Sequence, residues 1–277
     1  MKKIISIVLA LVMVCSLAFV FTSCSEKTSS MTATEGVLVM ATNAAFPPYE
    51  YVEGGNFAGI DVEIAEAIAA KLNMTLEIKD VEFGSIIGGV QTGKFDIGMA
   101  GMTVTDERLQ SVNFSTTYAT GIQVVIVAED STITSLDDLV GDGSMKFGVQ
   151  QDTTGDIYAS SSVEDGGYGE ENVVRYKTGA DAVQALKTGK VDAVIIDNEP
   201  AKAFVEANEG LKILDAEWAV EDYAIAIAKE NTALLDAVNN ALAELTADGT
   251  IAAIIAKYIP TAAAEVTSEV ASEEATA

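Results

Sequence analysis

A five-residue phrase, Thr-Gly-Lys-apolar-Asp, occurs at residues 92–96 and again at 188–192, and it limits the folds open to this chain. Each copy follows a helix-like stretch and leads into a short apolar run, at 97–100 or 193–196. The glycine stands where a helix needs a left-handed C-terminal residue, and the apolar runs have the length of buried parallel strands. The sequence therefore predicts two similar α/β halves.

Polar residues begin directly after each apolar run, at 101–103 and at 197–199. Because ligands bind beyond the carboxyl ends of the strands in open α/β sheets, two such ends predict a cleft between two lobes. The repeat alone leaves open a duplicated βα unit with no shared site.

Strand-like and helix-like stretches alternate along the chain, which favours an α/β fold with a mostly parallel sheet flanked by helices in each lobe. We assign residues 36–118 and 223–260 to lobe 1 and residues 119–222 to lobe 2, joined by a two-strand hinge around a ligand cleft. Asp61 is expected to cap a helix, and residues 166–169 are expected to form a surface loop.

Both ends of the chain are predicted to lie outside the folded lobes. Two lysines and the apolar stretch 4–21 have the pattern of an export signal, and the residues before Cys24 resemble a bacterial lipoprotein signal, with cleavage after residues 1–23 and acylation of Cys24. An uncleaved membrane helix is the alternative. Residues 24–35 are expected to be a tether, and the acidic tail 261–277 is expected to be disordered because it has too few large apolar groups to pack.

Composition excludes several functions. The formal net charge of −26 repels nucleic acid and anionic lipid surfaces. The chain has no histidine, which removes the usual general base near neutral pH and the commonest metal ligand. Because its two cysteines are Cys15 and Cys24, the mature domain has no disulfide and is stabilised by burial alone. No cofactor or metal is predicted.

Arg108 is the first candidate binding residue. Thr105, Asp106 and Glu107 have the pattern of a helix N-cap and an acidic first turn, which places Arg108 on that turn, close to a strand end. A guanidinium there can hold a carboxylate by two parallel hydrogen bonds. A surface ion pair is the alternative.

Several stretches together resemble a known family, the polar amino-acid-binding proteins of ABC importers (bacterial extracellular solute-binding proteins, family 3), which have the type II fold of periplasmic binding proteins. The resemblance covers roughly residues 36–260 and rests on motifs in the family's order. These motifs lie at 46–51, 59–63, 90–118, 148–150, 192–197 and 248–250.

The resemblance implies that Arg108 holds the α-carboxylate of an amino acid, helped by the hydroxyl and nearby N–H groups of Thr103. It places Thr153 and Thr154 against the same carboxylate, at the start of a lobe 2 helix. Such a helix N-terminus offers unpaired N–H donors and a partial positive charge. Plain N-capping by these threonines is compatible with this role.

The resemblance also assigns Asp197 to the ligand's ammonium group, with the main-chain oxygen of Gly101 or Ala100 as a second acceptor. Capping of the next helix is the alternative for Asp197. Phe46 and Phe83 fall where the family has aromatic side chains that sandwich the ligand, although either could belong to the core.

Two uncharged residues bear on the ligand's side chain. Asn43 stands where related binders of cationic amino acids often carry aspartate, and Gln150 is expected to face the side-chain pocket. Together they favour a neutral polar ligand.

We therefore expect a monomeric, lipid-anchored protein outside the cytoplasmic membrane, or in a periplasm, that closes on an amino acid and delivers it to an ABC importer permease. Chain crossings at 118–122 and 218–223 would form the hinge. One alternative is a dehydratase of a small carboxylate on the same scaffold, with Glu50 or Asp152 as its acid. Another is a sensory module that presents its bound state to a membrane receptor.

Overall fold

The computed structural model of the chain describes residues 31–140 and 143–260. The predicted signal peptide 1–23, the lipidation site Cys24 and the predicted tail 261–277 lie outside the described residues. Within the described ranges, no helix combines the length and the apolar character needed to cross a bilayer.

Strands and helices alternate over most of the described chain. The strands are β1 Val37–Thr42, β2 Ala45–Phe46, β3 Glu50–Glu53, β4 Asn56–Ala58, β5 Thr75–Asp80, β6 Ile97–Gly98, β7 Val112–Phe114, β8 Ala119–Ala128, β9 Phe147–Gln150, β10 Val173–Tyr176, β11 Ala193–Asp197, β12 Leu211–Ile213, β13 Ala219–Tyr223 and β14 Ala226–Ala228. The helices are α1 Ile60–Lys71, α2 Ser85–Gln91, α3 Asp106–Ser111, α4 Asp137–Val140, α5 Thr154–Ser160, α6 Gly179–Lys187, α7 Asn198–Glu206, α8 Thr232–Ala247 and α9 Thr250–Tyr258.

The first lobe is built on a sheet with the order β5-β1-β6-β14-β7. β1 lies parallel between β5 and β6, with Leu38 opposite Leu76 and Met40 opposite Ile97. Leu38, Met40 and Ile97 are fully buried, as expected for the central strands of a sheet covered by helices. β14 returns from the far end of the chain and runs antiparallel to β6 and β7.

The second lobe repeats this plan, with the order β10-β9-β11-β8-β12 and with β13 paired to β8. β9 is parallel to both β10 and β11, whereas every pairing of β8 is antiparallel. The predicted parallel strands are therefore present in both lobes, but each sheet is mixed. The strand that runs opposite to its neighbours is β8 in lobe 2 and β14 in lobe 1, and each of them follows a chain crossing.

The repeated phrase forms the same turn in both lobes. Gly93 has φ 71° and Gly189 has φ 68°, the left-handed conformation that the sequence predicts. Gly93 N–H donates to Val90 and Lys94 N–H donates to Gly89 at the end of α2, and the bonds at the end of α6 correspond one for one. This pair of bonds is the Schellman motif, which satisfies the last carbonyls of a helix.

Two crossings connect the lobes and lie side by side. β8 starts directly after Tyr118, and β13 pairs antiparallel with it, so that Tyr223 lies opposite Ala119. Tyr118 N–H also donates to the main-chain oxygen of Tyr223 at 3.0 Å. A paired, two-strand connection of this kind can bend at few backbone dihedrals while both lobes stay intact.

The prediction that Asp61 caps a helix is wrong. The N-cap of α1 is Gly59, and Asp61 is fully buried in the first turn. Its Oδ2 accepts from Gly101 N–H at 2.9 Å and its Oδ1 accepts from Tyr118 OH at 2.8 Å. The side chain of Asp61 thus accepts hydrogen bonds from the segments that follow β6 and β7, and it does not cap its own helix.

The predicted tether, 24–35, ends earlier than expected. Thr32 is buried, and Ala33 N–H donates to Asp96 Oδ1 at 2.8 Å. Residues 31–34 therefore pack on lobe 1, because the aspartate of the first repeated phrase binds them.

The predicted surface loop 166–169 is wrong at Tyr168. That side chain is buried and stacks on Phe147 with ring centroids 4.0 Å apart. The glycines around it form the turns that bring the ring down onto β9.

Candidate ligand-binding site

The residues predicted to bind a ligand all line one cavity between the lobes, and Glu50 lines it with them. The empty space among the lining residues, which includes space open to solvent, is about 300 Å³. The shared cavity is an observation, whereas the binding role of each residue stays a prediction. The lining residues are Asn43, Phe46, Glu50, Phe83, Ala100, Gly101, Thr103, Arg108, Gln150, Thr153, Thr154 and Asp197.

Arg108 lies on the first turn of α3, as predicted, and Thr105 caps that helix by accepting from Arg108 N–H. Its guanidinium is buried and donates to the main-chain oxygens of Thr103 at 2.8 Å and Asp152 at 3.1 Å. The ring of Phe83 lies 5.2 Å from the guanidinium carbon.

Within the part of the chain that the structure describes, the positive charge of Arg108 has no direct ion-pair partner. None of the ion pairs among the described residues includes it. Burial lowers the pKa of Arg108, and the charges of Glu221 and Asp197 act in the opposite direction. A buried cation of this kind is stabilised by an anion that enters the cavity.

Glu221, on β13, links the two lobes behind the cavity. Its Oε2 accepts from the hydroxyls of Thr103 at 3.1 Å and Thr154 at 3.0 Å, and from Gln123 Nε2 at 3.0 Å. Thr103 belongs to lobe 1 and Thr154 to lobe 2. The strand of one crossing therefore fixes two of the three threonines that are predicted to meet the ligand's carboxylate, Thr103 and Thr154.

The N-terminus of α5 borders the cavity. Thr153 is its N-cap, accepting from Asp156 N–H at 3.3 Å, and Thr154 is its first residue. Capping and cavity lining thus occur together for Thr153.

Asp197 ends β11 and is buried at the cavity. It occupies the N-cap position of α7, but its side chain makes no capping bond, so the capping alternative is wrong. Its Oδ1 instead accepts from Tyr223 OH. Burial first, and then the charge of Glu221, raise the pKa of Asp197 to about 7.

A second acidic pair adjoins the cavity. Glu50, almost fully buried, is hydrogen-bonded to Asp61, and burial together with the charge of Asp61 holds the pKa of Glu50 well above its usual range. Burial raises the pKa of Asp61 to about 6, although the bonds from Gly101 and Tyr118 lower it. One proton shared between the two carboxyl groups explains how both stay buried.

Two amides meet across the cavity. Gln150 Nε2 of lobe 2 donates to Asn43 Oδ1 of lobe 1 at 2.8 Å, and Asn43 Nδ2 donates to the main-chain oxygen of Val81 at 2.9 Å. This wall therefore presents uncharged polar atoms.

Gly101 is required where the chain leaves β6. Its φ is +51°, and a Cβ there would lie 2.8 Å from the ring of Phe46. Phe46 in turn packs against Tyr49 with ring centroids 6.0 Å apart. The absent side chain lets the main chain approach the cavity beside an aromatic wall.

Sequence reasoning missed Glu221 and did not identify Glu50 as a binding residue. Glu221 stands in an ordinary strand pattern, with no local signal that its side chain turns toward both lobes. Glu50 belongs to one of the stretches that carry the family resemblance, which could have drawn attention to it. Among the described residues, no acidic or cysteine cluster could hold a metal ion.

The chain forms two α/β lobes that are joined by paired crossings and closed around a polar cavity. One lobe contributes a cation to this cavity and the other contributes a carboxyl group. This arrangement defines a two-lobed solute-binding protein. The chain belongs to the bacterial extracellular solute-binding proteins, family 3, which it matches over residues 38–261. The family is described as one of solute-binding proteins, which confirms the predicted class and leaves the dehydratase alternative without support.

Relatives and solved structures agree with this membership. The chain is 33% identical to the arginine-binding extracellular protein ArtP of Bacillus subtilis (strain 168), over 90% of this chain and 96% of ArtP. It is 28% identical to the L-cystine-binding protein TcyJ of Escherichia coli (strain K12), over 80% and 82%. A structure of an ancestral arginine-binding protein bound to glutamine matches with a TM-score of 0.75 at 37% identity, over 82% of this chain and 100% of that one.

Proposed function

We propose that this protein captures an amino acid with a polar, uncharged side chain and delivers it to an ABC importer. The observation that carries the proposal is the pairing of Arg108 and Asp197, which come from different lobes and line one cavity. A zwitterion satisfies both groups only when the lobes are closed on it.

The ligand's carboxylate would lie against Arg108, Thr103 and the N-terminus of α5. Arg108 keeps donor capacity after its two main-chain bonds, because a guanidinium has five N–H groups. The ammonium group would lie at Asp197 and at the main-chain oxygen of Gly101 or Ala100. Hydrogen bonds to ionised groups contribute roughly 1.5 to 3 kcal/mol each, so a few of them suffice for micromolar binding, which needs about 8 kcal/mol net.

The side-chain preference rests on the amides of Asn43 and Gln150. Their bond to each other leaves further donor and acceptor capacity for a polar guest, and neither supplies a charge to match a cationic side chain. Phe46 and Phe83 would flank the guest. An ancestral arginine-binding protein has been solved with glutamine bound and also with arginine bound, and ArtP is named for arginine, so the preference rests on the two amides rather than on the relatives.

Membership of an extracellular family supports a location outside the cytoplasmic membrane. We propose that acylated Cys24 anchors the protein there as a monomer, close to the permease that takes the ligand over.

A thermal-shift screen against the twenty amino acids and cystine tests the proposal. A ligand at 100 times its dissociation constant adds about 2.7 kcal/mol to stability, which gives a clear shift. We expect the largest shift for an uncharged polar amino acid. The largest shift for arginine or lysine would refute the side-chain preference, and no shift with any compound would refute the binding function.

A further inference from the structure

A carboxyl group outside the predicted set of binding residues faces the candidate cavity. Glu50 starts β3, is 1% exposed and lines the cavity together with Asp197 and Gly101. Its Oε2 has no hydrogen-bond donor among the described residues. A buried polar group in this state needs a partner.

We propose that Glu50 is a third acceptor for the ammonium group of the ligand, beside Asp197 and the main-chain oxygen at Gly101 or Ala100. This inference rests on the proposed function. An ammonium group has three N–H donors, and the two acceptors already assigned satisfy only two of them.

The network around Glu50 places it at this end of the cavity. Asp61, its hydrogen-bond partner, also accepts from Gly101 N–H, so one carboxylate ties Glu50 to the main chain that is predicted to meet the ammonium group. The charge of Asp197 also acts on Glu50. Both predicted acceptors therefore line the same cavity as Glu50.

Glu50 acts in this role as a neutral group. Both oxygens of Asp61 accept hydrogen bonds, from Gly101 and Tyr118, which identifies Asp61 as the ionised member of the pair and Glu50 as the holder of the proton. A neutral carboxyl that gives its proton to Asp61 keeps one oxygen for the cavity that it lines. The ammonium group then meets one full negative charge at Asp197, with uncharged oxygens beside it.

The experiment compares Glu50→Gln and Glu50→Leu by calorimetry. Glutamine keeps an oxygen for the ligand and an N–H for Asp61, so we expect its affinity to stay within about threefold of the wild type. Leucine removes the acceptor, and we expect a loss of about 10- to 150-fold, the range for a hydrogen bond to a charged group. Circular dichroism of the unliganded variants controls for folding.

The probes are L-glutamine and L-arginine, each with its analogue that lacks the amino group, 4-carbamoylbutanoate and 5-guanidinopentanoate. We expect Glu50→Leu to weaken binding of each amino acid but not binding of its analogue. An equal loss for both compounds, or no loss, would overturn the ammonium contact while leaving amino-acid binding intact. If Glu50→Gln weakens binding as much as Glu50→Leu does, the neutral acceptor is wrong. Failure of every amino acid to bind the wild type would instead refute the proposed function, and the ammonium contact with it.

Discussion

At the scale of single residues, Arg108 meets two main-chain oxygens and the ring of Phe83, none of which carries a formal negative charge. We expect Arg108→Ala to weaken binding of the amino acid found in the screen by about 2 to 5 kcal/mol, because a buried carboxylate loses its partner. Arg108→Lys keeps the charge but loses the planar guanidinium, so its affinity should lie between those of the wild type and Arg108→Ala. Calorimetry measures both, and unchanged affinity in Arg108→Ala would contradict the carboxylate assignment.

The proposed contact of Asp197 with the ligand's ammonium group predicts that binding depends on pH. The pKa of Asp197 is about 7 in the unliganded cavity, so below that pH the ligand's ammonium group must displace a proton from the carboxyl. We expect affinity to be highest near about pH 8, where Asp197 is ionised and the ligand's amino group is still protonated, and to fall by up to tenfold per unit below about pH 7. Calorimetry across pH, in buffers with different ionisation heats, measures the affinity and the released proton.

Two variants separate the causes of this dependence. Asp197→Asn should bind more weakly and lose the proton release at Asp197. Glu221→Gln removes a charge that raises the pKa of Asp197, so the fall in affinity should move to lower pH. An unchanged pH midpoint in Glu221→Gln would contradict this coupling.

The same shift affects the stability of the unliganded protein, with a fixed sign. The pKa of Asp197 is higher in the folded state than in an unfolded chain, where it is about 3.9. Between these two values the folded state binds the extra proton, so this contribution to the free energy of unfolding is present at low pH and is lost as the pH rises toward about 7. Denaturant titrations of wild type and Asp197→Asn at several pH values measure the difference.

Sequence reasoning identified residues that signal their role locally or through family motifs. Arg108 follows an N-cap pattern, and Asp197 follows an apolar run. Glu221 was missed because its partners are distant in sequence: it accepts from Thr103 across 118 positions. Asp61 was assigned to its own helix, although its donors Gly101 and Tyr118 lie 40 and 57 positions away. Only the fold brings such groups together, and neither pattern nor composition records the contact.

At the scale of elements, the two Schellman turns allow a matched test. Gly93 and Gly189 have positive φ and open space where a Cβ would be added, so alanine meets no neighbour there and costs only the left-handed conformation. We expect each substitution to lower the free energy of unfolding by about 1 to 2 kcal/mol. Denaturant unfolding measures the loss in each variant. Equal losses would show that the two turns contribute equally to stability as well as sharing the same geometry.

Gly88 is the control for these turns. It lies inside α2, also with open space where a Cβ would be added, but it is not among the positive-φ glycines. Alanine there should stabilise the protein by about 0.5 to 1 kcal/mol. If alanine raises the free energy of unfolding at Gly88 and lowers it at Gly93, the loss at Gly93 is due to the backbone conformation. A lower free energy of unfolding in Gly88→Ala would contradict that explanation.

The elements themselves were largely predictable, and their pairing was not. The apolar runs that follow the repeated phrase, 97–100 and 193–196, predicted β6 and β11 to within two residues. The mixed sheets were not predicted, because β14 pairs with β6 although about 130 residues separate them, and no local pattern specifies strand direction. Topology of this kind follows from the path of the crossings.

At the scale of the whole molecule, Trp218 should report lobe closure. It packs against Tyr158 at 6.2 Å and Tyr168 at 5.4 Å within lobe 2, and the charge of Glu221, which accepts from Thr103 of lobe 1, acts on the hydroxyl of Tyr158. We expect ligand to change the emission of Trp218, measured by titration. Tyr158→Phe should reduce the change, and a constant spectrum at saturating ligand would count against closure near this crossing.

An exposed ion pair spans the lobes away from the cavity. Lys177 follows β10, Glu82 follows β5, and their side chains are 74% and 65% exposed. An exposed pair contributes at most about 1 kcal/mol and is screened by salt. Because opening the cleft would separate these side chains, the pair favours the closed form without touching the ligand.

This position gives the pair a signature that no cavity residue shares. Apparent affinity scales with the fraction of closed protein. Lys177→Gln should therefore lower the affinity for every ligand by the same factor, up to about fivefold. This difference between the variant and the wild type should vanish near 1 M salt, where the Debye length is about 3 Å. Lys202→Gln is the matched control, because Lys202 pairs with Glu199 within α7 and should not change affinity. A factor that differs between ligands, or an equal loss in Lys202→Gln, would show that the pair does not act through closure.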